Sequence, residues 1–232
     1  MVQLPPHLSL HHATGIHPGE PVAQFEIGKY KNFVYLFIDW HLRKAAIIDP
    51  QADLSEIDLA LKAHNLTLTS ILLTHTHFDH VAGVPELLSR YSNLTVKVHP
   101  LDTHRLTASG VPSSRLEALQ DNEVLKVGAL TIRVLHTPGH SAGECCFLTE
   151  TTPPYLFTGD TVFIRDCGRT DLETGSNDEM FQSLNRIRAL PKETILLPGH
   201  HYRPECATTL ERELSESPPF QCRSVQELAS LP

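Results

Sequence analysis

The residues able to do chemistry concentrate in one hexapeptide, His75-Thr76-His77-Phe78-Asp79-His80, which carries three imidazoles and a carboxylate. Neutral imidazole and carboxylate oxygen are the donors that hold zinc and iron. A solvated loop has no need of them at this density. Three later stretches repeat the pattern: His136-Thr-Pro-Gly-His140-Ser141, Thr158-Gly-Asp160 and Pro198-Gly-His200-His201-Tyr202. Each sets a ligand-type residue beside a glycine, which lets the backbone turn sharply and approach whatever the side chain binds. Singly these are weak signals, because a lone histidine after a strand is ordinarily a polar or core residue and a lone Gly-Asp is ordinarily a turn. Together, and in this order, they describe a metal centre gathered from four places in the chain. No Ser-His-Asp arrangement is evident.

The elements that must position these residues are strands. The hexapeptide follows the apolar run Ile71-Leu72-Leu73, so it falls at the C-terminal end of a strand over 66–74, where α/β proteins place their sites. The other motifs follow strand-like runs at 130–135, 155–158 and 194–197. Strands are also expected at 22–28, 32–39, 44–49, 95–99, 123–127 and 144–148. Helices are expected at 53–65, with Leu54, Ile57 and Leu61 on one face and Asp53 as a cap, and at 81–91. The clearest helix spans 178–190, with Phe181, Leu184 and Ile187 as its apolar stripe, widened by Met180. Residues 101–121 read as a short helix plus loop, and the tail as helices at 206–214 and 224–231. Each half runs strands first, then helix and strand. That arrangement implies two sheets packed face to face with helices outside, a four-layer α/β sandwich (αββα).

Composition narrows the function classes. The 232 residues suit one domain over 1–232, with 205–232 a short helical extension, and 41% hydrophobic content can build its core. A net charge of −8 excludes the electrostatic footprint of a nucleic-acid binder. No run approaches the ~20 apolar residues of a membrane span, and residues 1–20 lack the basic and apolar regions of a signal peptide. The five scattered cysteines form no CxxC pair and no disulfide framework, so a reduced, cytoplasmic setting is the expectation. The 15 histidines are the compositional anomaly.

With its motifs HTHFDH at 75–80, TPGHS at 137–141, TGD at 158–160 and PGH at 198–200, the chain resembles the metallo-β-lactamase superfamily. The resemblance spans about 30–200, and the family fold is the αββα sandwich. It implies that His75, His77 and His140 hold one metal, that Asp79, His80 and His200 hold a second, and that Asp160 bridges them. The cofactors are then two divalent ions, zinc first, with iron or manganese open because the same donors serve all three. Metal-bound water has its pKa lowered to about 7, and two metals about 3.5–4 Å apart hold that nucleophile and the oxyanion it creates. Asp79 and Asp160 are the catalytic candidates, Asp79 by orienting the nucleophile. His136 and His201 are expected outside the ligand set.

The block Asp160-Thr-Val-Phe-Ile-Arg-Asp-Cys-Gly-Arg-Thr-Asp171 sharpens the resemblance toward the branch of glyoxalase II-like thioesterases and persulfide dioxygenases. It implies a small-molecule substrate, glutathione-linked, contacted by Arg169 and Tyr202 with Arg165 behind them. A salt bridge from Arg169 to Asp171 or Asp166 competes with that role. Cys167 reads as a packing residue rather than a nucleophile. The first reading is a thioesterase acting on an acylglutathione, although the tail is short and acidic around 211–216. The second is a dioxygenase with a single Fe(II) on His75, His140 and Asp160. A lactone or β-lactam hydrolase, and a metal-stabilised binding module, complete the range. A homodimer is allowed; the sequence does not specify one.

Overall fold

The strand β2, Asn32–Asp39, is buried along its whole length and shows why the chain folds in layers. Phe33, Tyr35 and Phe37 enter one apolar cluster, while Val34, Leu36 and Ile38 enter another. Alternate side chains of a strand point to opposite faces, so both faces of this sheet must be covered. The structure, a computed structural model, describes residues 4, 5, 8 and 15–231. Most of the expectation about residues 1–20 therefore falls outside the described residues.

The first sheet runs β1 (Val22–Ile27), β2, β3 (Lys44–Ile48), β4 (Thr67–Leu72), β5 (Val96–Val98) and β6 (Leu116–Ala118) in spatial order. Its first two pairings are antiparallel and the rest parallel. The second sheet has the order β14-β13-β10-β9-β8-β7, from β7 (Val124–Val127), β8 (Leu130–His136), β9 (Cys145–Thr149), β10 (Tyr155–Gly159), β13 (Ile195–Pro198) and β14 (Thr208–Thr209). A small hairpin, β11 (Val162–Phe163) with β12 (Asp166–Cys167), follows β10.

Three apolar clusters map the four layers. Between the sheets, Tyr35 and Phe37 meet Phe157 edge to face at 5.2 and 6.3 Å, with Val134, Phe147 and Leu197 around them. Each such side chain contributes on the order of 2 kcal/mol by leaving water. Outside the first sheet, Ile57 and Leu61 of α1 (Ser55–Ala63), Leu87 of α3 (Val84–Arg90) and Leu106 of α4 (Thr103–Ala108) cover Leu36, Ile47 and Ile71. Outside the second, Met180, Leu184 and Ile187 of α5 (Asn177–Arg188) cover Leu135, Leu156 and Leu196. This is the expected αββα sandwich.

Several local expectations are corrected. The helix expected over 81–91 is α3, which begins only at Val84, because Gly83 turns to donate its N–H to the Pro50 carbonyl at 2.9 Å and Pro85 lies in its first turn; a separate short α2 (Phe78–Val81) precedes it. Asp53 does not cap α1; it accepts from the N–H and hydroxyl of Ser55, and Leu54 holds the cap position. Met180, rather than Phe181, is the fully buried start of the α5 stripe. In the tail, Thr208 and Thr209 pair with Leu196 and Ile195 as β14 before α6 (Leu210–Glu216) begins. There α7 (Pro218–Gln221) and α8 (Val225–Ala229) join α5 over the outer cluster through Phe220 and Leu228.

Candidate metal centre

The four motif loops meet along one edge of the sandwich, where backbone hydrogen bonds tie the two sheets to each other and neighbouring strand ends of the second sheet together. Cys145 donates to the Thr74 carbonyl at 2.8 Å, Phe33 to the Gly199 carbonyl at 2.8 Å, and Gly199 to the Gly159 carbonyl at 2.7 Å. Loops distant in sequence are thus held at fixed spacing before any ligand is considered. Gly199 is required here, because a Cβ at that position would fall on Asp160 Oδ1. Gly139, at φ +148°, lies so close to the Met180 backbone that a Cβ would overlap it.

All seven sequence-predicted donors come together. His75, His77 and His140 offer three ligand atoms within 4.8 Å of one another, and so do Asp79, His80 and His200. Between the two sets stands Asp160. Its Oδ2 lies 3.4 Å from His140 Nε2 and 3.5 Å from His200 Nε2, and its Oδ1 lies 3.5 Å from His80 Nε2. Facing nitrogens are close: His77 Nδ1 to His140 Nε2 is 2.8 Å, and His80 Nε2 to His200 Nε2 is 3.2 Å. Within the described residues, the buried His75 Nε2 and Asp160 Oδ1 have no hydrogen-bond partner. Converging donors with orphaned buried atoms are what a cation would satisfy, so these residues fit a metal centre.

The outer nitrogens are held as metal-bound histidines require. His140 Nδ1 meets the Arg169 carbonyl at 2.8 Å and His200 Nδ1 the Tyr30 carbonyl at 2.9 Å. His80 Nδ1 meets Asp49 Oδ2 at 3.1 Å, and His75 Nδ1 lies 3.1 Å from the Thr74 hydroxyl. A third donor group, Asp49 with His75 and His80, is wholly buried. The Asp49 carboxylate is already occupied, however, by the Thr74 N–H at 2.8 Å, the Thr74 hydroxyl at 2.6 Å and His80, so it acts as support.

Electrostatics sort the donors. Burial pushes His75 well below the ordinary histidine range. Burial and the neighbouring His140 lower His77 to about 4. Both are therefore neutral, the form that binds a cation. Burial also opposes charge on His80, but the carboxylates of Asp160, Asp49 and Asp79 outweigh it and raise His80 to about 9. Asp160 is held well below the usual carboxylate range, because His80, His200 and His75 overcome its burial. Glu144 is the reverse: burial and the Asp160 charge push it well above that range, and its Oε1 accepts the Asp160 N–H at 2.7 Å.

A cleft of about 620 Å³ opens onto the centre at His140 and Asp160. Arg169 and Tyr202, the residues expected to contact substrate, are among its lining residues. Tyr202 lies 58% exposed and stacks on His200 with ring centroids 4.7 Å apart. Arg169 is engaged by Asp171 through two hydrogen bonds of 2.6 and 2.7 Å. Arg165 is not brought to the cleft lining; its guanidinium pairs with Glu205 at 2.6 Å. His201 lies outside the two donor groups, bonded to Glu26 at 2.5 Å, and His136 stacks on His99. Sequence reasoning missed the supporting residues Asp49, Glu144 and Asn32, whose Nδ2 donates to Asp79 Oδ2 at 3.1 Å. A carboxylate opening the apolar run Glu144-Cys-Cys-Phe-Leu148 was the available signal for Glu144.

Comparison with known proteins agrees with this geometry. The family model for the metallo-beta-lactamase superfamily matches residues 31–200. The chain belongs to that superfamily. It is similar to a probable polyketide biosynthesis zinc-dependent hydrolase, BaeB, of Bacillus velezensis, at 32% identity over 83% of each chain. It is also similar to a hydroxyacylglutathione hydrolase of a Synechococcus strain, at 35% identity over 74% of this chain and 65% of that one. Among solved structures, ETHE1 from Myxococcus xanthus matches with a TM-score of 0.77 and 29% identity, over 91% of this chain and 92% of that one. Superfamily membership and hydrolase relatives mark the chain as a metal-binding hydrolase of this fold. No helix among the described residues is long and apolar enough to cross a membrane.

Proposed function

We propose that the protein is a two-metal hydrolase of thioesters, with an acylglutathione as the type of substrate and zinc as the first choice of metal. The observation that carries the reading is Asp160 standing between two three-donor groups. Seven donors exceed the closed four-ligand set of a structural site. His75, His77 and His140 would hold one ion, Asp79, His80 and His200 the other, and Asp160 both. When bound, such a pair lowers the pKa of coordinated water toward 7 and stabilises developing oxyanion charge. The chain's own residues supply the order. Asn32 fixes the Asp79 carboxylate, so Asp79 can orient the attacking group. Asp49, Glu144 and the carbonyls of Tyr30 and Arg169 fix the donors behind them. Tyr202 covers His200 and bounds the cleft from which substrate approaches. Similarity to the hydroxyacylglutathione hydrolase supports the thioester class.

The test is hydrolysis by zinc-loaded protein of a panel holding an S-acylglutathione, a lactone and a β-lactam. The thioester should be cleaved fastest, and Asp160→Asn should lower that rate by about a thousandfold or more. Full activity in Asp160→Asn would overturn the reading. Oxygen uptake with glutathione persulfide, and no hydrolysis, would assign the site instead to a single Fe(II) on His75, His140 and Asp160.

A further inference from the structure

Asp102 stands at the residue before α4, where an aspartate ordinarily caps a helix, yet its side chain makes no capping hydrogen bond. It is fully buried and belongs to none of the three donor groups. Its two oxygens reach across to the second sheet instead. Oδ2 accepts the Ser141 hydroxyl at 2.8 Å, and Oδ1 accepts the Gly143 N–H at 3.2 Å. The approach is so close that a Cβ on Gly143 would lie 2.6 Å from Asp102 Cγ. The Asp102 carbonyl accepts the Thr76 hydroxyl at 3.0 Å. Thr76 lies between His75 and His77, and Ser141 follows His140. One residue therefore grips both loops that carry the first donor group. Beside it is Arg105, whose Nη1 lies 3.8 Å from Asp102 Oδ1 and, among the described residues, is buried without a hydrogen-bond partner.

We propose that Asp102 is a positioning residue for the first metal, and that it sets His75 and His77 at their working distance from His140. The inference does not rest on the thioester reading, because His75 and His140 are donors both in a two-metal hydrolase and in a single-Fe(II) centre. The need for such a residue follows from the donors themselves. His77 Nδ1 and His140 Nε2 face each other at 2.8 Å. Both nitrogens must be unprotonated to bind a cation, and their lone pairs then repel until the ion arrives. The two loops leave different sheets, one after β4 and the other between β8 and β9, so their spacing has to be held from outside the rings. Asp102 does this with its carboxylate on one loop and its carbonyl on the other.

The experiment reads zinc affinity by chelator competition on the full-length chain, which needs no turnover. It compares Asp102→Asn with Asp102→Ala, each combined with Arg105→Gln so that both charges leave together. Asp102→Asn keeps the ties, because its amide oxygen accepts the Gly143 N–H and its amide nitrogen donates to the Ser141 hydroxyl. Asp102→Ala removes them. Against Arg105→Gln alone, the Asp102→Asn protein should bind zinc within about threefold, and the Asp102→Ala protein about tenfold or more weakly, as for other groups behind metal ligands. The loss should fall on one equivalent and persist in a His200→Ala background, where the first group is intact. Thr76→Val against Thr76→Ser repeats the comparison from the other loop without altering Asp102, and serves if Asp102→Ala does not fold. Thr76→Ser keeps the hydroxyl, and Thr76→Val should bind zinc more weakly. Equal affinities within each pair overturn the inference. So does a loss shared equally by both equivalents, or one that disappears in His200→Ala, because general loosening or an effect at the second group would then explain it.

Discussion

Replacing Asp49 by asparagine changes one atom type and tests how the centre is held. Asp49 is buried behind the second donor group and accepts three hydrogen bonds: Thr74 N–H at 2.8 Å, Thr74 Oγ1–H at 2.6 Å and His80 Nδ1–H at 3.1 Å. In Asp49→Asn the amide oxygen can keep the Thr74 N–H. The amide nitrogen then replaces Oδ2 and presents its own hydrogens to the Thr74 hydroxyl and to His80 Nδ1. The imidazole can accept one of them only by moving its proton to Nε2. That is the nitrogen facing His200 and Asp160, at 3.2 and 3.5 Å, and a protonated nitrogen cannot bind a cation. Leaving the pair unsatisfied instead costs about 1–3 kcal/mol. Either route weakens metal held by Asp79, His80 and His200, by about 10–100-fold as for other groups behind metal ligands, or about 1.4–2.8 kcal/mol. The assay is competition with a chromophoric chelator on Asp49→Asn and the parent protein, with urea unfolding of the metal-free forms as the control for stability. One equivalent should weaken while the other stays near the parent value. Affinities within twofold of the parent for both equivalents would refute the argument that Asp49 sets the His80 proton.

Two further outcomes follow from geometry. Gly199→Ala should displace the Asp160 carboxylate, because its Cβ falls on Oδ1, and so cost metal content while circular dichroism stays close to that of the parent; normal metal content would show that the loop gives way instead. Asp39 joins the two sheets by accepting the Ala129 N–H at 2.7 Å, and it also accepts the Leu42 N–H of its own hairpin turn at 3.0 Å. Its burial opposes ionisation, but these N–H groups and that of His41 hold it below the usual carboxylate value. The stabilisation is therefore present above the unfolded-state pKa of about 3.9 and is lost as pH falls through the lower folded value. Asp39→Asn should cost about 1 kcal/mol in urea unfolding at pH 7 and less near pH 3, and an equal cost at both would exclude the charge as the cause.

The layers were legible because burial writes itself into the chain directly. In β2 every residue is buried, so its alternating side chains had to serve two cores. The seven donors were legible because each stands beside a strand end in a short, distinctive spelling. What escaped notice depended on contacts between distant segments. The three-residue β6 lies on a sheet edge with two of its side chains exposed, so it carries no apolar pattern to read. The helix expected at 206–214 begins as β14 because β13 offers an open edge to Thr208 and Thr209, whose branched side chains suit a strand. Arg165 carries a functional spelling, yet its partners Glu205 and Glu216 lie 40 and 51 positions along the chain and draw it from the cleft. Asp49 reaches His80 from the neighbouring parallel strand of the same sheet, and Glu144 comes to 3.7 Å from His75 only where the two sheets meet; neither contact is written in the local spelling.

Metal stoichiometry tests the central claim most directly. Elemental mass spectrometry on anaerobically purified protein should find close to two equivalents of metal per chain. His200→Ala, which removes one donor from the group with Asp79 and His80 and leaves His75, His77, His140 and Asp160 in place, should hold close to one. A single equivalent in the parent protein, unchanged in His200→Ala, would contradict the two-metal centre.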